Sequence, residues 1–220
     1  MSQVKSKQRV LDHGEVFTNE REVNAMLDLV KHETERIDSR FLEPACGSGN
    51  FLVEILSRKL KIVEQRYKKS QSDFEKYSIL AISSIYGVDL LEDNILECKD
   101  RLYEIFNTQY TKLYKKKTKD NVREAFRFIL DKNMLIGDAL TLLQKNGNPI
   151  VFSEWSNVKG SMFKRREYIF EHLLNDNKTT ELSLFEIKER EQSDMGDDIF
   201  IPKPIKEYRL RHYLRMQENV

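Results

Sequence analysis

Apolar residues recur along much of the chain with the spacing of amphipathic helices. In these stretches they return every three or four residues, which places them on one face of a helix. Thr18 or Asn19 can cap the first stretch, because both side chains accept hydrogen bonds from free backbone N–H groups. The pattern predicts helices at residues 19–35, 50–66, 72–83, 91–106, 122–130 and 161–174.

Short apolar runs between these helices are typical of buried strands. They cover residues 40–45, 84–90, 133–140 and 150–155. The alternation of strands with helices predicts an α/β fold built on a doubly wound sheet. Ligands bind such sheets beyond the carboxyl ends of the strands, where the strand order reverses. The residues that follow the strands are therefore the first candidates for function.

The last part of the chain has a weaker pattern. Between residues 175 and 198 apolar residues are sparse and acidic residues are frequent, which predicts a loop or a partly disordered segment. Residues 199–204 are expected to be extended, and residues 209–216 to form a strand or a helix. The chain is thus expected to hold one domain at residues 1–175, followed by an acidic linker and a C-terminal extension at residues 176–220.

Composition narrows the class of protein. A chain of 220 residues suits one domain with or without a tail, and it contains neither a membrane-length apolar run nor the apolar core of a signal peptide. Its two cysteines form no disulfide framework and no metal-ligand pattern, which favours the reducing cytoplasm and predicts no metal site. The net charge of +1 excludes neither nucleic acid nor protein partners. Basic clusters at residues 115–119 and 164–166 are either solvated faces or phosphate contacts.

The turn after the first predicted strand, EPACGSGN at residues 43–50, is the first candidate site. Its two glycines allow a tight turn and a close approach of a ligand to the backbone. The helix that follows offers free N–H groups, which suit a carboxylate or a phosphate. Leu52 stands where a dinucleotide fingerprint has its third glycine, and the P-loop lysine is missing, so NAD and ATP are disfavoured. An ordinary strand-to-helix turn is the alternative.

Acidic residues mark the ends of the next two predicted strands. Asp89 can accept hydrogen bonds from both hydroxyls of a ribose, and Leu90 beside it can pack on an adenine ring. Asp138 can accept a hydrogen bond from an adenine amino group, and Ala139 leaves room for the base. Each aspartate is also a good helix cap, which is the alternative for both. A glycine turn and two acids at three successive strand ends together favour an adenosine ligand.

The motifs EPACGSGNFL, IYGVDL and IGDAL, in this order, resemble the S-adenosyl-L-methionine-binding half of adenine-N6 DNA methyltransferases. The modification subunits of bacterial restriction–modification systems are the relatives they resemble most. The upstream stretch HGEVFTNEREVNAML is similar to the segment that these enzymes place before the first strand. The resemblance covers residues 14–155. It implies a Rossmann-like methyltransferase fold with a mostly parallel sheet and flanking helices, lacking the later strands of the family.

The resemblance also implies a role for each matching residue. The methionine end of the cofactor would contact Phe17 and Thr18, and its amino acid portion would lie against Glu43 and the backbone of residues 45–49. Ribose, adenine ring and adenine amino group would be held at the second and third strand ends, as inferred above. The expected cofactor-binding residues are Phe17, Thr18, Glu43, Pro44, Ala45, Cys46, Gly47, Gly49, Asn50, Phe51, Asp89, Leu90, Asp138 and Ala139.

The catalytic tetrapeptide of that family, Asn or Asp followed by Pro, Pro and an aromatic residue, has no match in this sequence. In the family it ends the fourth strand, where it binds the target amino group and stacks on the flipped base. Here Glu154 and Trp155 stand at that strand end. Glu154 could accept a hydrogen bond or proton and Trp155 could stack on a base, or Trp155 could be a core residue.

Three functions follow as hypotheses. The first is a DNA adenine-N6 methyltransferase or the modification subunit of a restriction–modification system, with DNA as its partner. The second is an inactive methyltransferase-like binding or regulatory subunit, which needs a second protein chain for its catalytic motif or its target recognition. The third is a methyltransferase of small molecules or proteins. No catalytic residue is assigned under any of them.

Overall fold

The computed structural model describes residues 6–13, 15–174, 191–192, 198–199 and 202–218. Its α-helices are α1 (Lys7–His13), α2 (Glu20–Asp28), α3 (Lys31–Thr34), α4 (Asn50–Tyr67), α5 (Gln71–Ser83), α6 (Glu92–Tyr114), α7 (Asp120–Asn133) and α8 (Phe170–Leu174), with 3₁₀ turns at Lys115–Lys117 and Tyr213–Glu218. Its strands are β1 (Phe41–Glu43), β2 (Ile85–Asp89), β3 (Met134–Ile136), β4 (Val151–Lys159), β5 (Met162–Ile169), β6 (Glu191–Gln192), β7 (Asp198–Ile199), β8 (Lys206–Glu207) and β9 (Arg211–His212).

Three parallel strands in the order β1-β2-β3 form the central sheet. Leu42 lies opposite Tyr86 and Val88 opposite Leu135 in its register. The central strand β2 is buried from Ile85 to Val88, as expected of a parallel strand that is covered on both faces. The predicted α/β fold with a parallel sheet and flanking helices is therefore confirmed.

Long helices cover this sheet and bury an aromatic core. Phe74 of α5, Phe106 of α6 and Phe126 of α7 are fully buried. The rings of Phe106 and Phe126 stack with centroids 4.2 Å apart and an interplanar angle of 6°. Burial of each such side chain stabilises the fold by about 2–3 kcal/mol. No helix of the described residues combines the length and apolar character needed to cross a membrane.

The predicted helix at residues 19–35 is divided in the structure. Asn19 caps α2 as expected, because its side chain accepts a hydrogen bond from the Glu22 N–H at 3.0 Å. After Asp28 the backbone leaves helical geometry at Val30, with φ −118° and ψ 32°, and the short α3 then turns the chain toward β1. The prediction of one continuous helix was wrong at this break. By contrast, α6 is longer than predicted because Tyr110, beyond residue 106, is also fully buried.

The predicted fourth strand does form, but it lies outside the parallel sheet. β4 pairs with β5 in an antiparallel hairpin, in which Trp155 lies opposite Arg165, and β5 also pairs with β8 and β9. The helix predicted at residues 161–174 is therefore wrong up to Ile169, and only α8 is helical. Phe163 and Arg165 point inward with the two-residue period of a strand. The period is hard to recognise because the second inward residue is an arginine.

The C-terminal segment packs on the domain through a buried carboxylate. Residues 209–216 contain both predicted forms, the strand β9 and a 3₁₀ turn that buries Tyr213. Tyr213 donates a hydrogen bond of 2.8 Å to Glu75, which is fully buried and also accepts bonds from Gln71, Tyr110 and Lys119. A buried carboxylate with four donors is fully satisfied. Most of the loop expected at residues 175–198 lies outside the described residues, and the division of the chain near residue 175 stays a prediction.

Candidate cofactor site

A cleft of about 480 Å³ lies at the carboxyl ends of β1, β2 and β3. Parallel sheets hold ligands at this edge, although the three described parallel strands follow chain order and show no reversal here. All the predicted cofactor-binding residues except Gly49 line the cleft. Residues that the sequence did not indicate complete the lining: Glu15, Val16, Leu91, Asn94, Gly137 and Leu140.

The glycine turn is built for close packing. Gly47 and Gly49 have φ values of +51° and +85°, which favour glycine. A Cβ atom on Gly47 would lie 2.9 Å from the ring of Phe17, and one on Gly49 would lie 2.5 Å from Cys98 Sγ. Gly47 thus lets the segment before the first strand reach the cleft, while Gly49 lets the turn sit against α6. Cys46 in this turn is a free, buried thiol, and its contact with Cys98 together with burial raises its pKa.

Asp89 holds the turn and the start of α6 together. Its Oδ2 accepts a hydrogen bond from the Gly47 N–H at 2.8 Å. Its Oδ1 accepts bonds from the Leu91 N–H at 2.9 Å and from Asn94 Nδ2 at 3.2 Å. The bond from Leu91 is a local turn contact and not the helix cap considered as the alternative, because the N-cap of α6 is Leu91 itself. A carboxylate has about four acceptor sites, so about one is left for a ligand, fewer than the two that a ribose diol would use.

Asp138 follows β3 at the same edge of the sheet, and local donors of the next two residues contact its half-buried carboxylate. Its Oδ1 accepts a hydrogen bond from the Leu140 N–H at 2.8 Å, and this bond lowers the pKa of the Asp138 carboxyl group. Leu90 is 50% exposed and Leu140 is 95% exposed at the rim of the cleft. Apolar side chains that remain exposed around a concave site suit a flat apolar ligand such as a purine ring.

Asn50 ties the upstream segment to the first turn of α4. Its Nδ2 donates a hydrogen bond of 2.8 Å to the Thr18 carbonyl. Arg101 of α6 donates to Asn50 Oδ1 at 2.9 Å and to the Ser48 carbonyl at 2.6 Å. The Asn50 side chain therefore positions the cleft wall that Phe17 and Thr18 form.

The charged side chains that line the cleft are all acidic. Four carboxylates line it, those of Glu15, Glu43, Asp89 and Asp138, and the described residues of the lining include no lysine, arginine or histidine. Burial raises the pKa of Glu43, because a carboxyl group removed from water is less readily ionised. Glu15 is paired with Arg9, and the other three carboxylates favour a cationic ligand over a phosphate.

A comparison with protein families agrees with the position of this cleft. Residues 16–157, more than half of the chain, match the family model described as MmeI, DNA-methyltransferase domain. The chain belongs to this MmeI DNA-methyltransferase-domain family. The predicted relationship to DNA methyltransferases of restriction–modification systems is thereby confirmed. No curated protein and no solved structure matched the chain.

Three polar residues at or near the cleft of this MmeI-family protein were not predicted from the sequence. Glu15 has a side chain only 8% exposed and forms an ion pair with Arg9 at 2.6 Å. Asn94, in the first turn of α6, is 1% exposed and donates to Glu15 at 2.7 Å. Glu15 lies inside the recognised GEVFT stretch, but no spacing in the sequence distinguishes Arg9 or Asn94 from ordinary surface residues.

Glu154 and Trp155 lie in the middle of β4, not at its end as predicted, and they do not reach the cleft. Trp155 is 5% exposed, and its Nε1–H donates a hydrogen bond of 3.0 Å to Asn133. It is therefore a core residue rather than a platform for a base. Glu154 forms ion pairs with Arg40 at 2.6 Å and with Arg166 at 3.4 Å. Neither residue lines the cleft.

The two basic clusters also lie apart from the cleft. In the cluster at residues 164–166, Lys164 pairs with Glu207, Arg165 with Glu167, and Arg166 with both Glu154 and Glu207. The cluster at residues 115–119 begins at the far end of α6, whose 23 residues extend about 34 Å from the cleft side of the sheet. Neither cluster contributes a side chain to the lining of the cleft.

Proposed function

We propose that the domain binds S-adenosyl-L-methionine in this cleft and acts in the methylation of DNA adenine at N6, in the cytoplasm. The observation that carries the proposal is the acidic cleft beside the glycine turn. S-Adenosylmethionine bears a sulfonium and an α-ammonium group, so its charges are complementary to the lining carboxylates. The phosphates of NAD and ATP would meet the same carboxylates unfavourably.

The lining also supports an order for the parts of the cofactor. Leu90 and Leu140 offer apolar surface for the adenine ring, and the Asp138 carboxylate at the end of β3 is suited to its amino group. The remaining acceptor site of Asp89 is suited to one ribose hydroxyl. Glu43 and the glycine turn are then left for the methionine end, near Phe17 and Thr18.

Methyl transfer moves one methyl group from the sulfonium to a nucleophilic nitrogen. The S–CH₃ bond breaks as the N–CH₃ bond forms, and the nitrogen then loses a proton. Cofactor binding aligns the methyl group, but the acceptor must also be held in line. Glu154 and Trp155 are both engaged in protein contacts away from the cleft. This observation favours a second candidate, a cofactor-binding subunit whose catalytic motif comes from a partner chain.

A tritium-transfer assay on mixed-sequence DNA tests the proposal. The chain, alone or with a partner subunit, is expected to transfer label from S-adenosylmethionine to DNA, and nucleoside analysis is expected to show N6-methyladenine. Asp89→Ala should abolish transfer, whereas Asp100→Ala, a control on the exposed face of α6, should leave it unchanged. Absence of label with every partner tried, despite cofactor binding, would contradict the methylation of DNA. Label on cytosine would contradict the N6 assignment.

A further inference from the structure

A cluster of charged and polar side chains connects the N-terminal helix α1 to the cofactor cleft. Arg9 of α1 donates hydrogen bonds to both carboxylate oxygens of Glu15, at 2.6 and 2.7 Å. The same guanidinium donates to Asp93 at 2.6 Å and to the Asn94 side-chain oxygen at 3.2 Å. Arg9 and Glu15 both precede residue 16, where the family match begins. The family match therefore does not cover these two residues.

The side chain of Asn94 links this cluster to Asp89 by hydrogen bonds. Its Nδ2 group donates to Glu15 Oε1 at 2.7 Å and to Asp89 Oδ1 at 3.2 Å. Asn94 is almost completely buried, so its amide has no water to exchange these partners for. A continuous set of hydrogen bonds thus runs from α1 to the aspartate at the end of β2.

These bonds determine which part of the Asp89 carboxylate a ligand can use. Oδ1 already accepts from Leu91 N–H and Asn94, which occupies both of its lone pairs. Oδ2 accepts from the Gly47 N–H alone among the described donors, which leaves one acceptor site on that oxygen. If Asn94 were free to turn, Oδ1 would open as well and the carboxylate could rotate away from the glycine turn.

We propose that Arg9, Glu15 and Asn94 are positioning residues for Asp89, so that docking of α1 and binding of the adenosine part of the cofactor are coupled. The proposal rests on the proposed function, because it takes Asp89 as a ligand of the cofactor. Coupling of this kind is reciprocal. A bound cofactor stabilises the docked α1, and loss of the Arg9 contacts weakens cofactor binding.

Calorimetry with S-adenosylhomocysteine and S-adenosylmethionine measures one side of the coupling. Arg9→Ala and Asn94→Ala are each expected to raise the dissociation constant roughly tenfold, as for loss of a hydrogen bond to a charged group. The double variant should bind the ligand no more weakly than the weaker-binding single variant, because both substitutions interrupt the same set of hydrogen bonds. Arg9→Lys should fall between, because lysine keeps the charge but cannot bond Glu15 through two parallel N–H groups. Arg21→Ala, in the exposed first turn of α2, is the control and should bind like the wild type.

Hydrogen exchange measures the other side and separates positioning from general destabilisation. S-Adenosylhomocysteine should slow exchange across residues 7–18 in the wild type and in Arg21→Ala, but not in Arg9→Ala. Melting temperatures of the free proteins check that the fold persists. Equal affinities of Arg9→Ala and wild type, or equal ligand protection of residues 7–18 in both, would overturn the inference alone. A wild type that binds neither compound would overturn the proposed function, and the inference with it.

Discussion

Substitution of Gly49 by alanine should destabilise the glycine turn in two ways, through its backbone conformation and through steric overpacking. Gly49 has φ +85°, and a Cβ atom there would lie 2.5 Å from Cys98 Sγ. A left-handed conformation costs an alanine about 1–2 kcal/mol, and overpacking a buried site costs about 1–3 kcal/mol more. Gly147 has a similar φ of +79° but nothing within 4 Å of its Cβ position. Gly147→Ala should therefore show the conformational term alone.

Urea unfolding followed by circular dichroism measures both variants. Gly147→Ala is expected to lower the free energy of unfolding by about 1–2 kcal/mol and Gly49→Ala by about 2–5 kcal/mol. Combining Gly49→Ala with Cys98→Ala makes room for the new methyl group, so the double variant should recover the overpacking term but not the conformational one. Equal losses in Gly49→Ala and Gly147→Ala would refute the close packing of the turn against α6. So would a double variant in which the two losses simply add.

Three further predictions concern buried polar groups. Glu75→Ala should cost about 3–5 kcal/mol of stability in urea unfolding, because it leaves Tyr213 and the other donors to this buried carboxylate unpaired; a loss below about 1 kcal/mol would contradict it. Burial lowers the pKa of Lys59 from 10.5 to about 7, so between these values the unfolded chain binds a proton that the folded chain does not. The free energy of unfolding of the wild type should therefore rise with pH across that window relative to Lys59→Met, and parallel pH profiles would be the contrary result. Asn133→Ala removes the 3.0 Å bond to Trp155 and should cost about 1–3 kcal/mol with a changed near-ultraviolet signal of the indole, which an unaltered spectrum would disprove.

The central sheet and its ligand edge could be predicted because local signals agree there. The helix α4 has regular apolar spacing, and the apolar run of β2 is as long as a buried parallel strand. The carboxyl ends of parallel strands meet at one edge of a sheet whatever the details of packing. The proximity of Asp89 and Asp138 could therefore be predicted from the sequence. The structure brings them to the same cleft.

The second sheet could not be predicted because its inward side chains are not all apolar. Arg165 is 2% exposed and lies against the rings of Phe128, Trp155 and Tyr208. A charge in an inward position removes the alternation that indicates a strand. Only the assembled fold provides the aromatic rings and the partner Glu167 that make its burial acceptable.

Long-range partners also explain the residues missed at the cleft and in the core. Arg9 meets Asp93 and Asn94 across more than eighty residues of sequence. Lys59 is fully buried and donates to the carbonyls of Ile37 and Ser39. Each looks like an ordinary surface charge in the sequence, since its partners come from distant segments or from the backbone, which carries no sequence signal.

We expect the acidic cleft at the strand ends to hold a cationic adenosine cofactor. Calorimetric titration of the full chain with S-adenosylmethionine, NADH and ATP in parallel tests it most directly. S-Adenosylmethionine should bind saturably with one site per chain, and this binding should be lost in the double variant Asp89→Ala with Asp138→Ala. Neither phosphate-bearing compound should bind. Binding of NADH or ATP without detectable binding of S-adenosylmethionine would contradict the assignment of the cleft to a cationic cofactor.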